Sequence, residues 1–300
     1  MRTALCRTVA TLAVVLGALT AVPAHAGRPC DEQPQQAGDV VRGLQLAERT
    51  ARALDATGAQ VLLLARAGQD LRQYGLRWSH LGIVYREAPP APPAPAGEPE
   101  PTMQRAAWRQ PVADAEAPRP VTSAAPGVWR VVHKLNHCGS GDSAVYRQGL
   151  GEFFMDKPYR YEAAYVVLAP ELQARLLPLL KDNDAVARLH EPRYSMVAYP
   201  WATTYQQSNQ WAVETLAIAA EGVRTRAQAQ AWLQLRGYEP TVLKLGPLTR
   251  LGARMTAANV AFDDHPNEKR FADRIETMTV DSVFAWLPRA GLGQAPIGVR

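Results

Sequence analysis

Apolar residues recur with two periods along this chain, and the switches between them predict its elements. Over residues 39–56, Val40, Val41, Leu44, Ala47, Ala51 and Leu54 fall near helical spacing, and Gly58 is a natural stop. Residues 61–65 form a short apolar run before a turn at 67–70, which predicts a buried strand. Residues 78–85, 128–135 and 161–168 predict further strands, with a turn at 136–143 and a short helical turn at 150–155. Pro170 opens a helix running through Leu176, Leu177 and Leu180. A short β-like piece is expected at 194–199. Thr204 and Gln207 have capping-box spacing before a helix carrying Ala212, Val213, Leu216, Ala217 and Ala220 on one face. Thr225 and Gln228 repeat that spacing before the next helix, which runs through Trp232 to Arg236. The rest alternates short elements at 241–245, 248–255, 274–278 and 280–287, with residues 291–300 as a tail. Helices and strands mix without a regular βαβ rhythm, so the fold class is α+β.

One composition break interrupts this pattern. Residues 88–127 are proline-rich, with few apolar side chains, and such a stretch can build neither helix nor ladder. It is expected to be a disordered, partly polyproline II insertion; an interdomain linker is the other reading. The segment before it is short for independent folding, which favours a single domain over 39–290.

The N-terminus adds a compartment. Arg2 and Arg7 precede an apolar run from Val9 to Val22, and Ala24-His25-Ala26 ends it with small residues at the positions a signal peptidase reads. Residues 1–26 are therefore expected to be a cleaved signal peptide, with 27–38 a flexible lead-in and the product periplasmic or secreted. Removing Arg2 and Arg7 takes the formal charge from +5 to +3. The charge forms no stripe, which argues against nucleic acid as a partner. No later run is long enough to span a membrane. Two cysteines remain after cleavage, Cys30 and Cys138. In an oxidising compartment one disulfide is the simplest reading; Cys138 as a free nucleophile is the alternative.

Three residues offer chemistry: His80 at the start of one strand, His133 near the end of the next, and Ser208 in the first turn of an amphipathic helix. A helix N-terminus stabilises a thiolate or a developing oxyanion, and a histidine on an adjoining strand can take a proton. Each also has a plain structural explanation. Ser208 can satisfy a helix-start amide, and either histidine can be a packed, hydrogen-bonded core residue. His137, His190 and His265 fall in loop-like stretches and are expected to be solvated. His133, His137 and Cys138 do not match a zinc spacing, so neither metal nor cofactor is expected.

The order of these motifs resembles the circularly permuted branch of the NlpC-type papain-like cysteine peptidases, which includes the lecithin:retinol acyltransferase-like proteins. Ser79-His80-Leu81-Gly82-Ile83 is similar to that branch's first histidine strand, Val131-Val132-His133 to its second, and Gln207-Ser208-Asn209-Gln210-Trp211 to its nucleophile helix start. Within that clan the chain resembles a bacterial family of unknown function, the domain numbered 2145. Asn136-His137-Cys138-Gly139 and residues 149–154 support the placement. The resemblance implies a small antiparallel sheet flanked by helices, with His80 and His133 facing residue 208. The departure is Ser208, where the family has cysteine; a hydroxyl is far less acidic than a thiol.

Two functions follow. One is a hydrolase or acyltransferase acting on amide or ester bonds of cell-envelope peptides or lipids. Ser208 would attack, His80 would be the base, His133 would orient it, and Gln207 or nearby amides would form the oxyanion hole. The other is a non-catalytic or weakly active module that keeps the cleft to bind envelope peptides or lipids, with Trp78, Trp201, Tyr205 and Trp211 as candidate lining.

Overall fold

A computed structural model describes residues 36–88, 127–155 and 158–300. The lead helix α1 (Ala37–Asp55) is followed by strands β1 (Val61–Ala67) and β2 (His80–Glu87). After the proline-rich stretch, of which residues 89–126 lie outside the described part, come β3 (Val128–Asn136), β4 (Ser143–Gly149), the short helix α2 (Leu150–Phe154) and β5 (Arg160–Val167). Helices α3 (Pro170–Lys181) and α4 (Asn183–Ala187) lead through a long irregular stretch to α5 (Ser208–Glu221) and α6 (Arg226–Leu235). Strand β6 (Thr241–Lys244), helices α7 (Pro247–Thr256) and α8 (Asn267–Phe271), strand β7 (Arg274–Thr277), helix α9 (Val280–Arg289) and strand β8 (Ile297–Val299) complete the chain.

Six strands form one antiparallel sheet in the order β4-β3-β2-β1-β5-β8, and β6 and β7 make a separate two-stranded antiparallel sheet. The α+β class and the antiparallel sheet flanked by helices are as expected. Side chains alternate across a strand, so the register assigns every residue to a face. On one face Leu63, Ile83 and Val132 meet Trp211, Leu216 and Val213 of α5, together with α3 and α9. On the other, Leu62, Leu64, Val84 and Val131 meet Leu46 and Leu54 of α1 and Phe153 and Phe154 of α2. Both faces are covered, which is why β1 is buried at every position. Each leucine buried there contributes about 1.5–3 kcal/mol.

Several local expectations change. The box at Thr204 does not start α5, whose N-cap is Gln207; the Gln207 amide instead donates to Thr277 Oγ1 at 2.6 Å. The box at Thr225 does cap α6, with Gln228 N donating to Thr225 Oγ1 at 3.2 Å. Residues 194–199 are irregular backbone with a turn at 196–197 rather than a strand. Strand β4 lies at the sheet edge, where a half-polar segment needs only one neighbour. The expected tail contains β8, which pairs with β5 through Ala163↔Val299.

Candidate functional site

β2 and β3 place their histidines side by side. His80 faces the same side as Gly82 and Val84, and His133 the same side as Val131, so both point toward α1 and α2. His80 Nε2 and His133 Nδ1 are 2.8 Å apart, and His133 Nε2 lies 2.8 Å from Gln148 Oε1 on β4. The ring of Phe153 packs against both, with centroids at 5.8 and 5.2 Å. Arg66, opposite His80 in the register, stacks on the same phenyl ring and donates to the Phe153 carbonyl. Gly82 is required here: a Cβ at that position would stand 2.6 Å from Val131 Cγ1.

The hydrogen-bond order sets the neutral tautomers. With Gln148 Oε1 as acceptor, His133 Nε2 donates, His133 Nδ1 accepts, and His80 Nε2 donates to it. The acceptor nitrogen of the pair is then His80 Nδ1. Burial holds His80 well below the usual histidine value, and the charges of Arg66 and His133 add to the effect. Burial thus favours the neutral form of His80.

Ser208 lies on the other side of the sheet. It opens α5, which packs on the face carrying Ile83 and Val132. The residue that β3 turns toward this face is Lys134, through Lys134↔Val145, and not His133. The structure therefore brings His80 and His133 together but does not bring Ser208 to them. The expected convergence of all three is corrected by the one-residue offset between His133 and Lys134, which decides the face.

A different cluster surrounds Ser208. Burial pushes the Tyr194 hydroxyl up, against the Ser208 hydroxyl and amide that hydrogen bond to it. Lys134 Nζ lies 6.0 Å from the Tyr194 ring centroid. The ammonium donates to Gln206 Oε1 at 2.9 Å and to the Glu191 carbonyl. Gln206 Nε2 then donates to Glu214 Oε2 at 2.6 Å, and Glu214 pairs bidentately with Arg226 at 2.8 and 3.1 Å. Lys134, Gln206 and Glu214 are fully buried. Burial brings Lys134 down to about 7; the Arg226 charge adds to this, while Glu214 and Glu191 oppose it. Its hydrogen bonds cross-link β3 to Gln206 and to the Glu191 carbonyl.

Sequence reasoning missed this network, since a lysine ending a strand reads as a solvated residue. It also missed His265, which is buried, with Nδ1 2.9 Å from Asp264 Oδ1 and Nε2 2.9 Å from the Glu276 carbonyl. His190 is half-buried, with Nε2 3.1 Å from the Ser143 carbonyl, whereas His137 is exposed as expected. Gln207, the expected oxyanion donor, is committed to Thr277. Trp78 and Trp211 are core residues, while Trp201 and Tyr205 are half-buried. Cys138, in the β3–β4 turn, is engaged rather than free, and Cys30 lies outside the described residues. Among the described residues no three His, Cys, Asp or Glu side chains are grouped to hold a metal. No described helix is long and apolar enough to cross a membrane.

The model of a bacterial family described as an uncharacterized protein conserved in bacteria, the domain of unknown function numbered 2145, matches residues 53–99 and 115–287. The chain belongs to that family. Those residues take in both histidine strands, α5 with Ser208 and the two-stranded β6–β7 sheet. Neither a curated protein nor a solved structure matches the chain.

Proposed function

We propose that this chain is an exported, non-catalytic envelope module that keeps a papain-like frame without its chemistry. One observation carries the reading: Ser208 and the His80–His133 pair lie against opposite faces of one sheet. A general base must come within about 3 Å of the proton it takes, or reach it through one water. A packed sheet between them denies both routes. The serine in the nucleophile position fits the same reading, because an unassisted hydroxyl is a poor nucleophile. The frame then serves as a rigid binding body, with envelope peptides or lipids as the ligand class. Cys138 is assigned to a bridge with Cys30, which ties the N-terminal lead-in to the β3–β4 turn.

The test is labelling with a fluorophosphonate probe. The wild-type protein should take up no more label than Ser208→Ala. Labelling lost in Ser208→Ala and in His80→Ala would establish the hydrolase or acyltransferase reading instead. Thiol titration of the denatured, unreduced exported protein should find no free thiol; two reactive thiols would remove the bridge.

A further inference from the structure

The proposed module has a cleft that neither the histidine pair nor the Ser208 network uses. It lies between α3, the end of α5, α6 and the turn after α9. Glu221 ends the helix that Ser208 begins, about 20 Å away along its axis. The inner part of the cleft has a volume of about 190 Å³, with the buried side chains Leu172, Trp232 and Leu292 in its lining. It continues along Glu221, Trp232 and Arg236 into a second part of about 420 Å³, where Leu235 is 84% exposed. That size is usual for a small-ligand site.

Charge says what the cleft would hold. Glu171 and Arg175 of α3, Glu221 of α5 and Arg236 at the end of α6 all line the inner part. Among the described residues no two of them form an ion pair, and neither carboxylate accepts a hydrogen bond. One N–H of Arg175 donates to the Ala220 carbonyl at 2.7 Å, and one of Arg236 to the Ala290 carbonyl at 2.6 Å. Each guanidinium is thereby held in place with its other donors uncommitted. Glu221 stands at the C-terminal end of a helix, where the dipole already disfavours an anion. A simple anion here would face two carboxylates, and a simple cation two guanidiniums. A ligand carrying both charges satisfies all four. Leu235 is the one large apolar lining residue that is exposed, too little to receive acyl chains, which favours a peptide over a lipid headgroup.

We propose that this cleft binds a short peptide with both ends free, its carboxylate held by Arg175 and Arg236 and its ammonium by Glu171 and Glu221. The proposal rests on the binding-module reading and narrows the ligand class to zwitterionic peptides. The experiment is calorimetric titration of the purified full chain with trialanine, N-acetyl-trialanine and trialanine amide. Trialanine should give saturable heat, and each blocked peptide should bind about tenfold more weakly, the loss of one charge-assisted contact. Glu221→Gln should weaken trialanine about tenfold and leave N-acetyl-trialanine unchanged, because that peptide has no ammonium to lose. Arg236→Gln should weaken trialanine as much and leave trialanine amide unchanged. Lys244→Gln, remote on β6, should change nothing, and near-ultraviolet circular dichroism should show every variant folded. Glu221 has no hydrogen-bond partner among the described residues, so its substitution tests the cleft without touching the fold. Absence of saturable heat with trialanine, equal binding of all three peptides, or undiminished binding by Glu221→Gln overturns the proposal. Co-sedimentation with phosphatidylethanolamine vesicles that is lost in Glu221→Gln would also overturn it, assigning the cleft to a lipid headgroup. Fluorophosphonate labelling reads Ser208 and not this cleft, so a failed titration and a failed non-catalytic reading are told apart.

Discussion

His133 and Lys134 are consecutive on β3 and serve opposite sides of the molecule. His133 joins His80 at 2.8 Å beneath Phe153, while Lys134 joins Gln206 at 2.9 Å beneath α5. The alternation of a strand thus separates two buried polar networks that have no side chain in common. Both titrations make stability rise with pH, each in its own window.

His80 is held below its usual value by burial first, then by Arg66 and His133. The unfolded chain therefore binds a proton that the folded chain refuses. Stability is undiminished above the ordinary histidine value of 6.5 and falls as the pH drops below it toward the folded value. Urea melts between pH 7 and pH 5 should show this acid limb in the wild type and a shallower one in His80→Gln. Equal limbs would mean that His80 does not titrate differently in the two states. His133→Phe, which strands Gln148 and His80, should cost about 1–3 kcal/mol at pH 7.

Lys134 has the same sign in a higher pH window. Its folded value is about 7 against the ordinary lysine value of 10.5, so the unfolded chain holds the extra proton between those limits. Stability should rise as the pH climbs from 7 toward 10.5, because deprotonating the unfolded lysine removes the penalty. The difference between wild type and Lys134→Met, followed by urea midpoint from pH 7 to pH 9, isolates this slope. Parallel curves would show that the buried amine is not shifted.

The strands themselves were readable from periodicity, and the family from its short motifs. The face on which α5 packs was not. In a sheet exposed on one side, polar residues mark the solvent face; here β1 to β3 are apolar on both, so the pattern is silent about which side takes which helix. His133 and Lys134 are then equivalent candidates, and only the packed helices distinguish them. Strand β4 escaped notice because Ser143-Ala-Val-Tyr-Arg-Gln-Gly149 has too few apolar residues, and β8 because it is three residues long. The buried Lys134 and Glu214 left no local trace, since their partners are distant in the chain.

Glu214 and Arg226 form the buried ion pair at the base of the Ser208 network. Breaking one side leaves a desolvated charge, so Glu214→Gln should cost about 3–5 kcal/mol. The double variant Glu214→Gln with Arg226→Met should recover part of that loss. A double variant that loses the sum of the single effects would show that the two residues act independently.

Gly82 tests the packing of the histidine face alone. Its Cβ would meet Val131 at 2.6 Å and His133 Cβ at 3.4 Å. Gly82→Ala should therefore destabilise by about 1–3 kcal/mol, the range for overpacking a core. It should also move the ring resonances of His133 in a nuclear magnetic resonance spectrum. An unchanged urea midpoint would show that the strand yields without cost.

Placing at residue 208 the cysteine that the papain-like resemblance implies tests the proposed non-catalytic reading. In Ser208→Cys the new thiol stands at the start of α5, where helix amides favour the thiolate, but both histidines remain behind the sheet. A thiolate–imidazolium pair would add a low-pH limb to the alkylation rate, and that limb would disappear with its histidine. The expected profile for Ser208→Cys with iodoacetamide has no such limb, and adding His80→Gln or His133→Gln leaves it unchanged. A limb that either histidine substitution removes would mean that the two faces communicate, and the non-catalytic reading would fall with it.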